Sequence, residues 1–488
     1  MLSKASYTLL ALLALLALPV VSAERVLGAY IFARHGDRTA KVLGKTRLTD
    51  LGYREVYLTG SSYHGMYITN SSASHIQGIN AEIVSQSQIS ASAPVDTVLQ
   101  NSAVGFLQGL YPPAGSSATQ TLRNGSTVEA PLDGYQLIPV SVVSTGTGSE
   151  DNSWLQDTSN CQKAIVSSND YFASALYDSM LNSTAAFYQS LAPLLNRTFT
   201  ASQMSFKNAY TIFDYLNVAS IHNASSSSFP SSDLLTSEVY YQLLALANSH
   251  EYNLAYNTSE PVRAIAGSLL AGEVLTALNN TIATNGKSKL TVQFGAYATF
   301  LSYFGLAQLP AVSVNFTGIP DYASSMAWEL VTNSTDSFPA SSDISVRFLF
   351  HNGTLTGSAQ PTVYPLYGQP TLVLPWSDFV TYTAKIAVTS QAQWCNVCGN
   401  TGGVCINSSS STASTSTSFS ASAGSSKSGI SRAVAGVIGA MVTLAVILGL
   451  ETLFLLVGGF RISKRAVLSS QTRDSKDESK DESKDESK

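Results

Sequence analysis

The residues best suited to chemistry stand together at Arg34-His35-Gly36-Asp37-Arg38, two guanidiniums flanking one imidazole. An arginine fork binds two oxygens of a phosphate at once. A neutral imidazole is a nucleophile near neutral pH, so the grouping suits phosphoryl binding or transfer, the alternative from these five residues being a surface turn that happens to be basic. Gly36 is expected to let the backbone turn sharply and to keep bulk away from a ligand. The apolar run at 26–33 leads into this pentapeptide and reads as a buried strand of an α/β sheet. The polar residues then fall at the strand's carboxyl end, where such sheets hold their ligands.

The whole chain sets bounds on that chemistry. Its 488 residues have room for two or three domains. A net charge of -5 argues against nucleic acid as a partner. Six histidines and four cysteines leave little material for a metal site, and neither metal nor cofactor is expected. Lys4, the apolar residues 9–21 and Val21-Ser22-Ala23 form a secretory signal over 1–23, so the mature chain is expected to begin near Glu24. Residues 433–460 are long and apolar enough to span a bilayer, and Arg461, Lys464 and Arg465 follow them. The expected product is a single-pass type I membrane protein with its bulk outside the cell or in a lumen. Eleven N-x-S/T sequons between Asn70 and Asn407 all precede that span, as an external glycoprotein requires. Cys161, Cys395, Cys398 and Cys405 suit two disulfides, with three pairings open.

The elements that must position the pentapeptide follow the β, turn, α alternation of a sheet covered by helices. Thr49 caps a helix expected over 51–67, a strand is expected at 81–90, and a helix over 95–110 ends at Tyr111-Pro112-Pro113. Residues 160–285 carry helical periodicity at 171–195, 210–216, 237–247 and 261–278, broken by a Ser-rich loop at 225–232, and read as a helical cap. The sheet resumes at 289–294, with a turn at 295–298, a helix over 299–306, strands at 346–352 and 371–374 and a last helix over 379–387. An ectodomain at 24–406 is followed by a Ser/Thr-rich stalk at 407–432, and a charged tail at 461–488 ends in three D-E-S-K repeats. Glu451 lies inside the span, where an acid is costly and marks a candidate for self-association or sorting.

At Arg34–Arg38 the chain resembles the histidine acid phosphatases, whose signature is R-H-G-x-R-x-P. Leu48-Thr49-Asp50-Leu51-Gly52 is similar to the family's L-T-x-x-G, and residues 102–113 are similar to its S-A-x-x-F-L-x-G-L-Y-P-P helix end. The resemblance covers roughly 26–405, with the pieces in the family's order. It implies a phosphoglycerate-mutase-like α/β sandwich with a helical cap. The anchor and Ser-rich stalk further resemble fungal members. It also implies that His35 is the nucleophile and that Arg34 and Arg38 bind phosphate oxygens of a phosphomonoester or similar anion.

The chain departs from the family where protons are handled. Ala40 replaces the motif proline, and no arginine occurs between Arg54 and Arg123 to supply the family's third phosphate ligand. The family's second site is a His-Asp pair that contacts phosphate and protonates the leaving group. Here that place reads Phe294-Gly295-Ala296-Tyr297-Ala298, with Tyr297 for the histidine and Ala298 for the aspartate. Alanine donates no proton. Candidates for a substitute acid are Asp37, beside the nucleophile but at the variable position of the motif, Tyr297, a weak donor, and His351, ahead of His64, His75, His222 and His250. For each, a surface or core role is the commoner reading. Two readings follow: an acid-phosphatase-like enzyme with weakened chemistry, or a non-catalytic surface glycoprotein that binds an anion or a partner.

Overall fold

The computed structural model describes residues 24–142, 160–223, 229–357, 359–402 and 405–406. The expected signal, stalk, span and tail, with Glu451, lie outside the described residues, as does part of the Ser-rich loop.

Strand β1 (Arg25–Arg34) is buried from Val26 onward, which explains its unbroken apolar run. It joins β2 (Ile89–Ala93), β3 (Val140–Val142), β4 (Leu290–Gly295), β5 (Ser325–Thr332), β6 (Ser345–His351), β7 (Thr362–Tyr364) and β8 (Val373–Pro375) in one mixed sheet. The order is β8-β6-β5-β1-β4-β2-β3, with β7 also on the outer side of β6. β1, β4, β2 and β3 run parallel, while β5 and β6 turn the other half antiparallel. β1 therefore lies where the two halves meet.

Side chains alternate across β1, as a strand's two-residue period demands. Ala29, Ile31 and Ala33 face helices α1 (Asp50–Tyr63) and α2 (Thr97–Leu110), through residues such as Val56, Leu99 and Phe106. Tyr30 and Phe32 face the other side, whose core is shared with α3 (Ala209–His222), α4 (Ser237–Ala255), α5 (Ile265–Ala283) and α6 (Tyr297–Leu306). The helical stretch thus forms the second layer on the sheet. One helical run among the described residues, Pro261–Ala283, is long and apolar enough to cross a membrane, but two thirds of it is buried inside the fold.

The expected Thr49 cap is present, and Asp96 adds a second cap at the start of α2. Thr49 accepts a hydrogen bond from the Gly52 N–H at 3.1 Å, and Asp96 accepts from Val98 and Leu99 at 2.8 and 3.0 Å. Several expected boundaries move. The strand expected at 81–90 is Ile89–Ala93, and the helix expected at 210–216 runs on to His222. The helix expected over 171–195 breaks into short pieces, helped by the Ser174 cap and Pro193. β5 was not anticipated, because Ser325 and Glu329 interrupt its apolar pattern. All eight of its residues are buried, and Glu329 is satisfied there by Arg347 Nε at 2.7 Å and the Tyr67 hydroxyl at 2.9 Å.

The four cysteines form two disulfides, Cys161–Cys398 and Cys395–Cys405. They sit in a small core with Ile265, Leu269 and Trp394, joining the start of the helical stretch to the end of the described chain.

Candidate active site

The parallel register of β1 and β4 sets Arg34 beside Gly295. It therefore brings together the two segments singled out in the sequence. The Arg34 guanidinium lies 5.4 Å from the centre of the Tyr297 ring and 4.6 Å from that of Tyr322, and it donates to the Pro320 carbonyl. Ala298, the next residue on α6, offers only a methyl group.

His35 is fully buried, and its Nδ1 is 2.8 Å from the Gly36 carbonyl oxygen. A carbonyl only accepts, so this contact places the neutral ring's proton on Nδ1 and leaves a lone pair on Nε2. That tautomer is the one a nucleophilic imidazole needs.

Gly36 does not occupy the left-handed backbone region. Its requirement is space: a Cβ at Gly36 would lie 2.0 Å from the Gly52 carbonyl oxygen, and one at Gly52 would lie 2.0 Å from that of Asp37. The motif and the first turn of α1 are in backbone contact, which accounts for both glycines.

Helix α3 supplies contacts the sequence reading missed. Tyr210, Asp214 and His222 are spaced by four and eight residues and so share one helix face. Asp214 Oδ1 accepts from Arg38 Nη1 at 2.9 Å, and the Tyr210 hydroxyl accepts from Arg38 Nη2 at 3.0 Å. The other Asp214 oxygen accepts from the Lys41 backbone N–H at 2.9 Å. At the end of that helix His222 Nε2 is 2.6 Å from Asp37 Oδ2, which also accepts from the Thr49 hydroxyl. Asp37, at the motif's variable position, is thus a fully buried anchor. The histidine that reaches the motif is His222, whereas His351 lines a separate cleft with Asp321 and Asn352.

Tyr297 is also tied into the helical layer. Its hydroxyl donates to Glu251 Oε2 at 2.8 Å, and the other Glu251 oxygen is 2.8 Å from His250 Nδ1. The Tyr297 ring lies 4.7 Å from that of Tyr210, and the Lys41 ammonium is 5.6 Å from its centre. Burial pushes the Tyr210 hydroxyl up to about 12, against the pull of Arg38. Burial likewise pushes the Glu55 carboxyl up to about 7, although it accepts from the Asp37 N–H at 2.7 Å.

Two cavities flank the motif. One of about 820 Å³ is lined by Tyr252, Pro320, Asp321 and His351, and one of about 410 Å³ by Ala40, Thr49, Arg197 and His222. Arg34, His35 and Arg38 line neither. Among the described residues no group of three or more His, Cys, Asp or Glu is arranged to hold a metal ion.

Residues 41–351 match the family model described as histidine phosphatase superfamily (branch 2). The chain belongs to this superfamily, and the matched stretch starts just beyond the pentapeptide. Among solved structures it is similar to the phytase of Klebsiella sp. ASR1, at 12% identity over 75% of this chain and 96% of that one, with a TM-score of 0.51. Hafnia alvei phytase matches at 12% identity over 78% and 99% of the two chains, with a TM-score of 0.49. The multiple inositol polyphosphate phosphatase of Bifidobacterium longum matches at 11% identity over 76% and 94%, with a TM-score of 0.44. Likeness at such identity concerns the fold alone. No curated protein sequence matches the chain.

Proposed function

We propose that this chain is a membrane-anchored, extracellular histidine-acid-phosphatase-like glycoprotein that has kept its phosphoryl-binding groups and lost efficient leaving-group protonation. His35 is the nucleophile, with Arg34 and Arg38 as the phosphate ligands. Ordinary alkyl phosphomonoesters are turned over poorly, and esters whose leaving groups depart unprotonated are the ones still cleaved.

The observation that carries the reading is the pairing of neighbouring strand tips. A buried His35 with its lone pair on Nε2 stands by Arg34, and across the register the acid position is Ala298. A positioned general acid contributes about 10²–10⁴ in rate. A missing charge-stabilising donor, such as the absent third arginine, removes a further ~10²–10³. Tyr297 is a poor replacement, since its hydroxyl proton is already directed at Glu251. The family membership supports a phosphatase-type centre, and the signal, sequons, stalk and span in the sequence support an external, anchored location.

A second reading, a non-catalytic anion- or partner-binding surface protein, is favoured by the buried Arg38–Asp214 pair, which already neutralises one phosphate ligand. One assay separates the two. The full-length protein is given p-nitrophenyl phosphate and an alkyl phosphate from acidic to neutral pH, beside His35→Ala and Ala298→Asp. Slow, His35-dependent release of p-nitrophenol, with alkyl phosphate cleaved only by Ala298→Asp, supports the first reading. Release that is absent or independent of His35 supports the second. His35-dependent hydrolysis of the alkyl ester at ordinary enzyme rates, about 1–10³ per second, defeats both.

A further inference from the structure

We infer that Asp214 sets the ligand specificity of this centre, its carboxylate standing on Arg38 in the place a phosphoryl group would take. The inference rests on the reading of Arg38 as a phosphate ligand and goes beyond it by naming what now occupies that ligand.

Asp214 comes from helix α3, far from the motif in sequence, and is 2% exposed. One oxygen accepts from the Arg38 guanidinium and the other from the Lys41 backbone N–H, each at 2.9 Å. A guanidinium and a backbone N–H converging on two oxygens of one anion is a donor set that serves carboxylate and phosphate alike. Arg38 is itself fully buried, so a phosphate gains it only by displacing Asp214. A phosphate that entered beside an ionised Asp214 would meet a like charge in a desolvated site, the arrangement by which a centre rejects an anion.

Neighbouring contacts hold Asp214 in place. Tyr210, one turn earlier on α3, takes the other Arg38 nitrogen at 3.0 Å, and His222, two turns later, holds Asp37 at 2.6 Å. Three contacts from one helix face fix α3 on the motif, so the carboxylate is positioned by the fold and is not a passing counter-ion. Asp214 is thus a specificity-determining residue: its charge weakens phosphate binding at the centre, and without that charge the same donors hold a phosphate more tightly.

The test compares inorganic phosphate binding by calorimetry in the full-length wild type, Asp214→Asn and Asp214→Asn/Arg38→Gln. The expected result is roughly tenfold or greater tightening in Asp214→Asn, lost in the double variant. Phosphate should also raise the thermal midpoint of Asp214→Asn by more than that of the wild type, against chloride at equal ionic strength. A folded Asp214→Asn with wild-type phosphate affinity overturns the inference, as does a gain that persists without Arg38. If Asp214→Asn fails to fold, Asp214→Ser takes its place. Phosphate should restore folding in either variant, and failure of both to fold in its presence overturns the inference, because an anion on Arg38 should replace the lost carboxylate. Rapid wild-type turnover of alkyl phosphates would defeat the proposed function together with this inference. Slow wild-type turnover with unchanged phosphate affinity in Asp214→Asn would defeat the role of Asp214 alone.

Discussion

The tips of β1 and β4 lie side by side in parallel register, yet they have been treated differently. The β1 tip carries Arg34, His35, Asp37 and Arg38, all buried. The β4 tip leads into Tyr297 and Ala298, which carry no formal charge. Charged groups inside a protein need partners, and here helix α3 supplies two of them, the Asp214 carboxylate on Arg38 and a His222 ring nitrogen hydrogen-bonded to Asp37. Two retained arginines are therefore not by themselves a sign of turnover. The β1 tip is held by charge and the β4 tip by a neutral hydroxyl and ring contacts, and variants on each side can test that division.

The largest effect is expected at Asp214. Changing it to alanine leaves Arg38 buried and uncompensated, at a cost of about 3–5 kcal/mol in unfolding free energy read by denaturant titration. A cost no larger than that of a surface residue would mean that charge does not hold the β1 tip. Next comes Gly52→Ala, whose Cβ falls 2.0 Å from the Asp37 carbonyl oxygen. Overpacking of this kind costs about 1–3 kcal/mol, and an unchanged midpoint would show that the motif and α1 separate easily. On the other tip, Tyr297→Phe removes one hydroxyl bond to Glu251 and should cost only about 0.5–1.5 kcal/mol. A loss as large as that of Asp214→Ala would erase the contrast between the tips.

Much of this arrangement was legible because it is local. The run at 26–33, the pentapeptide and the Thr49 cap each carry their signal within a few residues, and the structure places all three close to where the sequence does. The departure at Tyr297 and Ala298 was legible only through the family's pattern. β5 was hidden because its buried Glu329 depends on Arg347 and Tyr67, distant in sequence. The clamp from α3 was hidden for a similar reason. Arg38 and Asp214 are 176 residues apart, so no local pattern links them. The four-residue spacing of Tyr210, Asp214 and Val218 was a usable clue. A helix ended at 216, however, cuts off His222, the residue that completes the face.

The smallest effect sharpens the comparison most directly, because it asks whether the β1 tip can hold one more negative charge. Glu55 on α1 accepts from the Asp37 N–H, and burial, with Asp37 adding to it, lifts its carboxyl from an ordinary 4.5 to about 7. Over that interval the folded protein binds a proton that the unfolded chain has released. Stability from this group is therefore complete below about 4.5, falls as pH rises and levels off above about 7. Glu55→Gln keeps a carbonyl acceptor for the Asp37 N–H and cannot ionise, so it should lose none of this stability. The difference in unfolding free energy between Glu55→Gln and wild type should then move in favour of the variant between pH 5 and pH 7, and by only a modest amount since Glu55 is partly exposed to water. A difference that stays flat would mean that the tip accommodates a second carboxylate beside Asp37. The charge there would then not be saturated, and the contrast with the β4 tip would rest on Asp214 alone.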